Sequence, residues 1–264
     1  MTVDRRPAPS VLLRTEGTVA WVSFSNPGKR NAFTWGMYEQ LLRISNGLRS
    51  SEELTAVVFR GNRDDGFAAG TDIRQFVDFH TGVDGVEYER RVGRVLEAVA
   101  KIPMPTIAAV ERSAIGAGLA IAAMCDIVVA ERGARFGAPV ARTLGNCIPA
   151  GVVARLRSRL GPSKTISMLL TSTLVAAEDL TSNGFVAALA EPGGIESTID
   201  NILKRLMTSA PLTLRALKEI NRRLDMAIEV PDDSDLLELC YGSSDFHEGV
   251  DAFLEKRHAN WSGH

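Results

Sequence analysis

The sequence predicts an α/β fold closed by a C-terminal helical cap, and three observations predict it. Short apolar runs with strand character alternate with helical periodicity through the first part of the chain. Small-residue corners stand where strands give way to helices, at residues 67–73 and 115–119. From Gly151 onward the pattern is almost wholly helical.

Taken in order, residues 11–14 and Val19–Ser25 flank Glu16-Gly17 and read as a β-hairpin. Asn26-Pro27-Gly28 breaks the chain before a helix over residues 34–49, with Thr34 as its N-cap. Ala56–Arg60 is a strand that runs into a loop from Gly61 to Gly70. A helical stretch follows Asp72, then a loop holding Gly82 and Gly85, then an amphipathic helix over residues 86–101. Pro103 and Pro105 fence the strand Thr106–Val110, which leads through Gly116-Ala117-Gly118 into a helix of small residues. Residues 127–130 form another buried strand. Beyond Gly151, Gly161-Pro162 and Asn183-Gly184 stop helices, and residues 186–190 are the strand candidate. No repeat, low-complexity tract or linker interrupts the chain.

Composition narrows the function classes. At 264 residues, 45% hydrophobic and 23% charged, the chain can bury a large core. A net charge of −2 exerts no global pull on nucleic acid or anionic membrane, so neither is expected as a partner. Cys125, Cys147 and Cys240 are widely spaced with no CxxC pair, and His80, His247, His258 and His264 show no ligand spacing. A disulfide framework and a metal site are therefore not expected, and a reducing cytoplasm fits. Residues 1–10 read as a short polar arm without the apolar core of a signal peptide. The longest apolar run, residues 119–125, is too short to span a bilayer.

The two corners carry the chemistry. Each puts small residues where backbone turns into a helix N-terminus, whose unpaired N–H groups and dipole favour negative charge. Small side chains let a ligand come close. Two such N–H groups converging on one oxygen are what a thioester enolate or tetrahedral adduct needs. Either corner alone also reads as a plain tight turn. A dinucleotide site fails at its third glycine, because position 121 is Ile121.

Nine landmarks in order carry a resemblance. They are Asn26-Pro27 with Arg30-Asn31-Ala32; Phe67 to Ile73; Ala108-Ala109-Val110; Gly116-Ala117-Gly118; and Cys125-Asp126-Ile127. After these come Arg135-Phe136-Gly137, Leu160-Gly161, Ala176 with Glu178 and Gly184, and a tail from Glu248-Gly249 through Lys256-Arg257. In these the chain resembles the crotonase (enoyl-CoA hydratase/isomerase) superfamily over nearly its whole length. The resemblance implies a spiral of ββα units over residues 1–195 and a C-terminal helical trimerisation region over residues 196–264. It also implies a trimer or dimer of trimers, an acyl-CoA substrate bent between two oxyanion loops, and fatty-acid metabolism. No separate cofactor is implied, coenzyme A being part of the substrate. Carried across by position, the oxyanion donors would be the N–H groups of Ala69 and Ala117. Ala68, Gly70, Thr71, Asp72 and Ile73 would line the adenine and pantetheine path, with Ala32, Gly116, Pro139, Val140 and Leu144 also at the substrate. Lys29 and Arg30 stand where the family contacts CoA phosphates, and Lys256 resembles a lysine reaching the CoA of an adjacent subunit. Each of these charges also reads as a solvated side chain, and Asp72 as the N-cap of its helix.

Two departures matter. Hydratases of this family carry two glutamates, one to activate water and one to deliver a proton at the α-carbon. Ala120 and Val140, twenty residues apart, hold those positions here. Standard hydration is therefore not expected. A lyase or isomerase acting through enolate stabilisation is the first reading, and a catalytically degenerate acyl-CoA-binding protein the second. On the segment that lines the acyl end, Arg142, Thr143, Asn146 and Cys147 remain as polar candidates. Cys147 is the expected nucleophile or proton carrier if a positive neighbour or helix N-terminus lowers its pKa; otherwise it packs as a small hydrophobe. Glu111, ahead of the second corner, reads as a solvated loop charge.

Overall fold

The structure is a computed structural model describing residues 7–62 and 64–264, so residues 1–6 of the expected polar arm lie outside the described residues. β1 (Ser10–Glu16) and β2 (Val19–Ser25) form the antiparallel hairpin, with Gly17 in the left-handed region at φ 56°. α1 (Trp35–Leu48) follows, and the Thr34 hydroxyl accepts from Met37 N at its start. β3 (Ala56–Arg60) leads through a short 3-10 turn, Ile73–Phe76, to α2 (Gly82–Ala100).

The chain then builds the same unit twice. β4 (Thr106–Val110), β5 (Ser113–Ile115) and α3 (Ala117–Met124) are followed by β6 (Ile127–Glu131), β7 (Arg135–Gly137) and α4 (Val140–Thr143). β6 lies parallel beside β4, and β7 parallel beside β5, so successive ββα units stack as turns of a spiral. α5 (Ala150–Leu160), α6 (Pro162–Thr171), β8 (Val175–Ala176) and β9 (Ala188–Ala190) complete the sheets. Their orders are β1-β2-β3-β4-β6-β9 and β5-β7-β8. The chain ends in α7 (Ile195–Met207), α8 (Pro211–Met226), α9 (Ser234–Tyr241) and α10 (Ser244–Glu255).

Period-two alternation explains why the main sheet is covered on both faces. Val57, Phe59, Ala108, Val110, Val128 and Ala130 join the large core beneath α1, α2 and α3. Their sequence neighbours Val58, Ile107, Ala109 and Val129 face the other way and pack with Ile195, Ile199 and Leu203 of α7. α9 and α10 fold back on the first core, where Tyr241 and Phe246 are fully buried. α8 buries no residue and leaves Leu217, Ile220 and Leu224, at i, i+3 and i+7, exposed along one stripe. No helix among the described residues is long and apolar enough to cross a membrane.

Three expectations change. α2 begins at Gly82, four residues before the expected start, with Thr81 and Asp84 forming its capping box. Its early glycines are packing residues rather than loop residues. A Cβ on Gly85 would meet the Tyr241 ring at 2.0 Å, and one on Gly82 the Glu238 carbonyl oxygen at 2.1 Å. β5, β7 and β8 were unforeseen because strands of two or three residues carry no readable period. Glu111 is buried, not solvated, with Arg60 at 3.9 Å from its carboxylate.

Candidate active site

The first corner is held by its neighbours rather than by its own turn. Asn31, buried at φ 53°, accepts from Asn26 N (2.8 Å) and Asn62 Nδ2 (3.0 Å) and donates to the Gly66 carbonyl (2.7 Å). Asp65 accepts from Gly28 N and Arg30 N, both at 3.1 Å. The Asn26-to-Ala32 segment is thereby fastened along the corner. Ala69 N donates to the Arg30 carbonyl (3.0 Å), Phe33 N to the Gly70 carbonyl (2.8 Å), and Asp72 N to the Phe33 carbonyl (2.9 Å).

This pattern overturns one expected donor. The Ala69 N–H is already paired with Arg30, so it is not available to an oxyanion. Two positions on, the Thr71 N–H takes no partner among the described residues, and neither does that of Gly70 between them. The Thr71 side chain is locked as well, because its Oγ1 sits 2.7 Å from the Tyr38 hydroxyl and 2.6 Å from the Tyr88 hydroxyl. Ala68 also moves off the site. It is fully buried and paired to Ala114, its N–H donating to Ser113 O and its carbonyl accepting from Ile115 N.

The second corner meets the first at two glycines. Gly116, at φ 53° and ψ −117°, donates its N–H to the Gly137 carbonyl at 2.9 Å. A Cβ on it would lie 3.5 Å from Gly70 Cα, and a Cβ on Gly70 would come within 3.9 Å of Ala117 N. Gly118 admits no side chain, since a Cβ there would meet the Ala68 carbonyl at 2.3 Å. Ala117 is the first residue of α3, so its N–H has no intrahelical acceptor, and it takes no other among the described residues. The unpaired N–H groups of Thr71 and Ala117 thus belong to two backbones in contact, one at a helix N-terminus.

Both corners open on a cleft of about 840 Å³. Lys29, Arg30, Ala32, Gly70, Thr71, Asp72 and Ile73 line one wall, and Gly116, Ala117, Pro139, Val140 and Leu144 the other. Ala120 and Val140 both face it, so no carboxylate stands at either position. Lys29, Arg30 and Lys256 supply positive charge, whereas Arg257 is paired with Glu248 and Glu255, and Lys256 lines the cleft of its own chain. Asp72 acts as the N-cap of the 3-10 turn. Its carboxyl is held below the usual range chiefly by its hydrogen bonds to the Arg74 side chain, which leaves it a poor proton acceptor.

Cys147 does not line the cleft, although its neighbours Asn146 and Ile148 do. Half-buried, it donates to the Ile148 carbonyl (3.5 Å) beside Cys240. Burial first, then Cys240, pushes its thiol up to about 11, opposite to the lowering a nucleophile needs. Glu89, which the sequence reading overlooked, does line the cleft. It stands on the apolar face of α2 with Gly85, Val92 and Leu96, and an acid at that spacing was the available signal. Burial pushes its carboxyl up to about 8, against the pull of a hydrogen bond from the Tyr241 hydroxyl.

The sequence model of the family described as enoyl-CoA hydratase/isomerase matches residues 14–264. The chain is 28% identical over 251 residues to the short-chain-enoyl-CoA hydratase of Clostridium acetobutylicum, covering 94% of this chain and 95% of that one. It is 28% identical over 263 residues to the crotonyl-CoA hydratase of Syntrophomonas wolfei, covering 96% and 97%. Its backbone is similar to that of a methylmalonyl-CoA decarboxylase complexed with 2S-carboxypropyl-CoA, with a TM-score of 0.86. That likeness covers 98% of this chain and 100% of that one at 24% identity, and bears on the fold alone.

Proposed function

The chain belongs to the enoyl-CoA hydratase/isomerase family of the crotonase superfamily, and from that membership we propose that its cleft binds an acyl-CoA and stabilises the thioester enolate. The observation that carries this reading is the pair of unpaired N–H groups, Thr71 and Ala117, on corners that touch at Gly70 and Gly116. In an enolate, the charge leaves the α-carbon and collects on the thioester oxygen. Two fixed donors at that oxygen stabilise it more than they stabilise the neutral carbonyl, which is what lowers the barrier. Lys29, Arg30 and Lys256 are suited to the CoA phosphates, and Pro139, Val140 and Leu144 to the acyl group.

Thr71 replaces Ala69 in this account because a donor already bound to Arg30 has nothing to give. We also propose that the apolar stripe of α8 is covered by neighbouring copies in a trimer or a dimer of trimers, with residues 196–264 as the assembling region. One purified sample tests both parts. Sedimentation should give three or six copies. A panel of acyl-CoA thioesters followed by mass spectrometry should show one converted to product. Thioester binding without conversion of any member would favour the degenerate binding protein; a stable monomer that retains no acyl-CoA would defeat both parts.

A further inference from the structure

Glu89 is a buried carboxyl on α2 that lines the cleft. It shares the buried face of α2 with Gly85, Val92 and Leu96, where burying a carboxyl is costly. Tyr241 donates to Oε1, and Asn146 Nδ2 donates in turn to the Tyr241 oxygen at 2.9 Å. The second carboxyl oxygen takes no hydrogen bond among the described residues. Asn146, which lines the same cleft, has a buried Oδ1 that is likewise without a partner. Glu89, Leu96, Pro149 and Val152 also line a second cavity of about 670 Å³, so Glu89 stands where two spaces meet.

We propose that Glu89 is the group that moves the α-proton of the bound thioester, the task that Ala120 and Val140 cannot perform. The proposal rests on the acyl-CoA reading above and adds the residue that reading lacks. In the step, Glu89 carboxylate takes hydrogen from the α-carbon and becomes a carboxylic acid. The C–H electron pair forms the Cα–C1 double bond, and the thioester oxygen becomes the oxyanion held by Thr71 and Ala117 N–H. Reversal returns a proton to the α-carbon. With substrate filling the cleft, the second cavity lets Glu89 trade its proton with solvent. Tyr241 is a positioning residue that fixes one carboxyl oxygen and leaves the other free.

Burial is the main cause of the raised Glu89 carboxyl, and the groups facing it modify that. They are Tyr38, Tyr88, Tyr241, Cys147 with Cys240, and Asp233, none of them cationic. The cations lining the second cavity, Lys101, Arg155, Lys218 and Arg222, are paired with Glu97, Asp225, Asp126 and Glu219. Proton removal needs the carboxylate, so the rate should rise with pH and level off above about 8.

The test uses propionyl-CoA in heavy water. Calorimetry measures binding, and mass spectrometry follows deuterium entering the α-carbon. The full chain should bind the probe and exchange, with a midpoint near that pH. Glu89→Gln, which keeps an acceptor for Tyr241, should bind as well but exchange ~10²–10⁴-fold more slowly. Tyr241→Phe removes the hydrogen bond that stabilises the carboxylate, so the midpoint should move upward. Exchange by Glu89→Gln at the parent rate, or binding by the parent chain without exchange, would overturn the role of Glu89. A parent chain that binds no propionyl-CoA would overturn the acyl-CoA reading and this proposal with it.

Discussion

Ala117→Pro should fold, bind acyl-CoA and lose ~10²–10³ of its turnover, the usual effect of removing one oxyanion donor, ~2.7–4 kcal/mol. Proline deletes the N–H and nothing else that α3 uses, because Ala117 is the first helical residue and that N–H has no helical acceptor. The residue before a proline is normally forced toward extended backbone. Gly116 holds the mirror image of that conformation, which glycine adopts freely. The loss should fall on kcat with KM little changed, since the donor acts mainly on charge that develops in the transition state. Circular dichroism separates misfolding from loss of the donor, and a folded variant with full turnover would remove Ala117 from the mechanism.

Crotonyl-CoA hydration should be very slow, below the ~1 s⁻¹ at which ordinary enzyme turnover begins. Syn-addition of water needs one group to activate the water and another to deliver the α-proton, each on its own side of the substrate. Alanine and valine do neither, and both face the cleft. Glu89 supplies one carboxyl and leaves the second task unfilled. Loss of the conjugated-thioester absorbance measures the rate directly. Placing two acids in the cleft with Ala120→Glu and Val140→Glu tests the same point from the other side, although each adds a buried carboxyl to a wall shaped without one.

The elements legible in the sequence were those whose signals are local. β2, β3 and β4 alternate side chains between two apolar faces, and Thr34 caps α1 within three residues of the N–H it serves. The start of α2 was hidden because Gly82 and Gly85 imitate a loop. They are glycine to admit Glu238 and Tyr241 of α9, and only Thr81 and Asp84 mark the start locally. The site divided in the same way. Corners at residues 67–73 and 115–119 were visible from composition, but which N–H remains free depends on the Arg30 carbonyl, far away in sequence. Cys147 looked reactive by elimination, whereas burial, a second thiol and the carboxyls of Glu89 and Asp233 all raise its pKa. Glu89 was readable as an acid on an apolar stripe and was passed over because that stripe reads first as core.

The central claim is that Thr71 and Ala117 hold a thioester enolate, and an anionic analogue of that enolate tests it most directly. The nitronate of 2-nitropropionyl-CoA carries its charge in a planar group beside the thioester, whereas propionyl-CoA presents a neutral carbonyl. Calorimetry on both should find the nitronate bound at least ~10²-fold more tightly, as intermediate analogues are when a site is built for the charged species. Ala117→Pro should remove most of that preference while leaving propionyl-CoA affinity unchanged. Equal affinities for the two ligands in the parent chain would contradict the account.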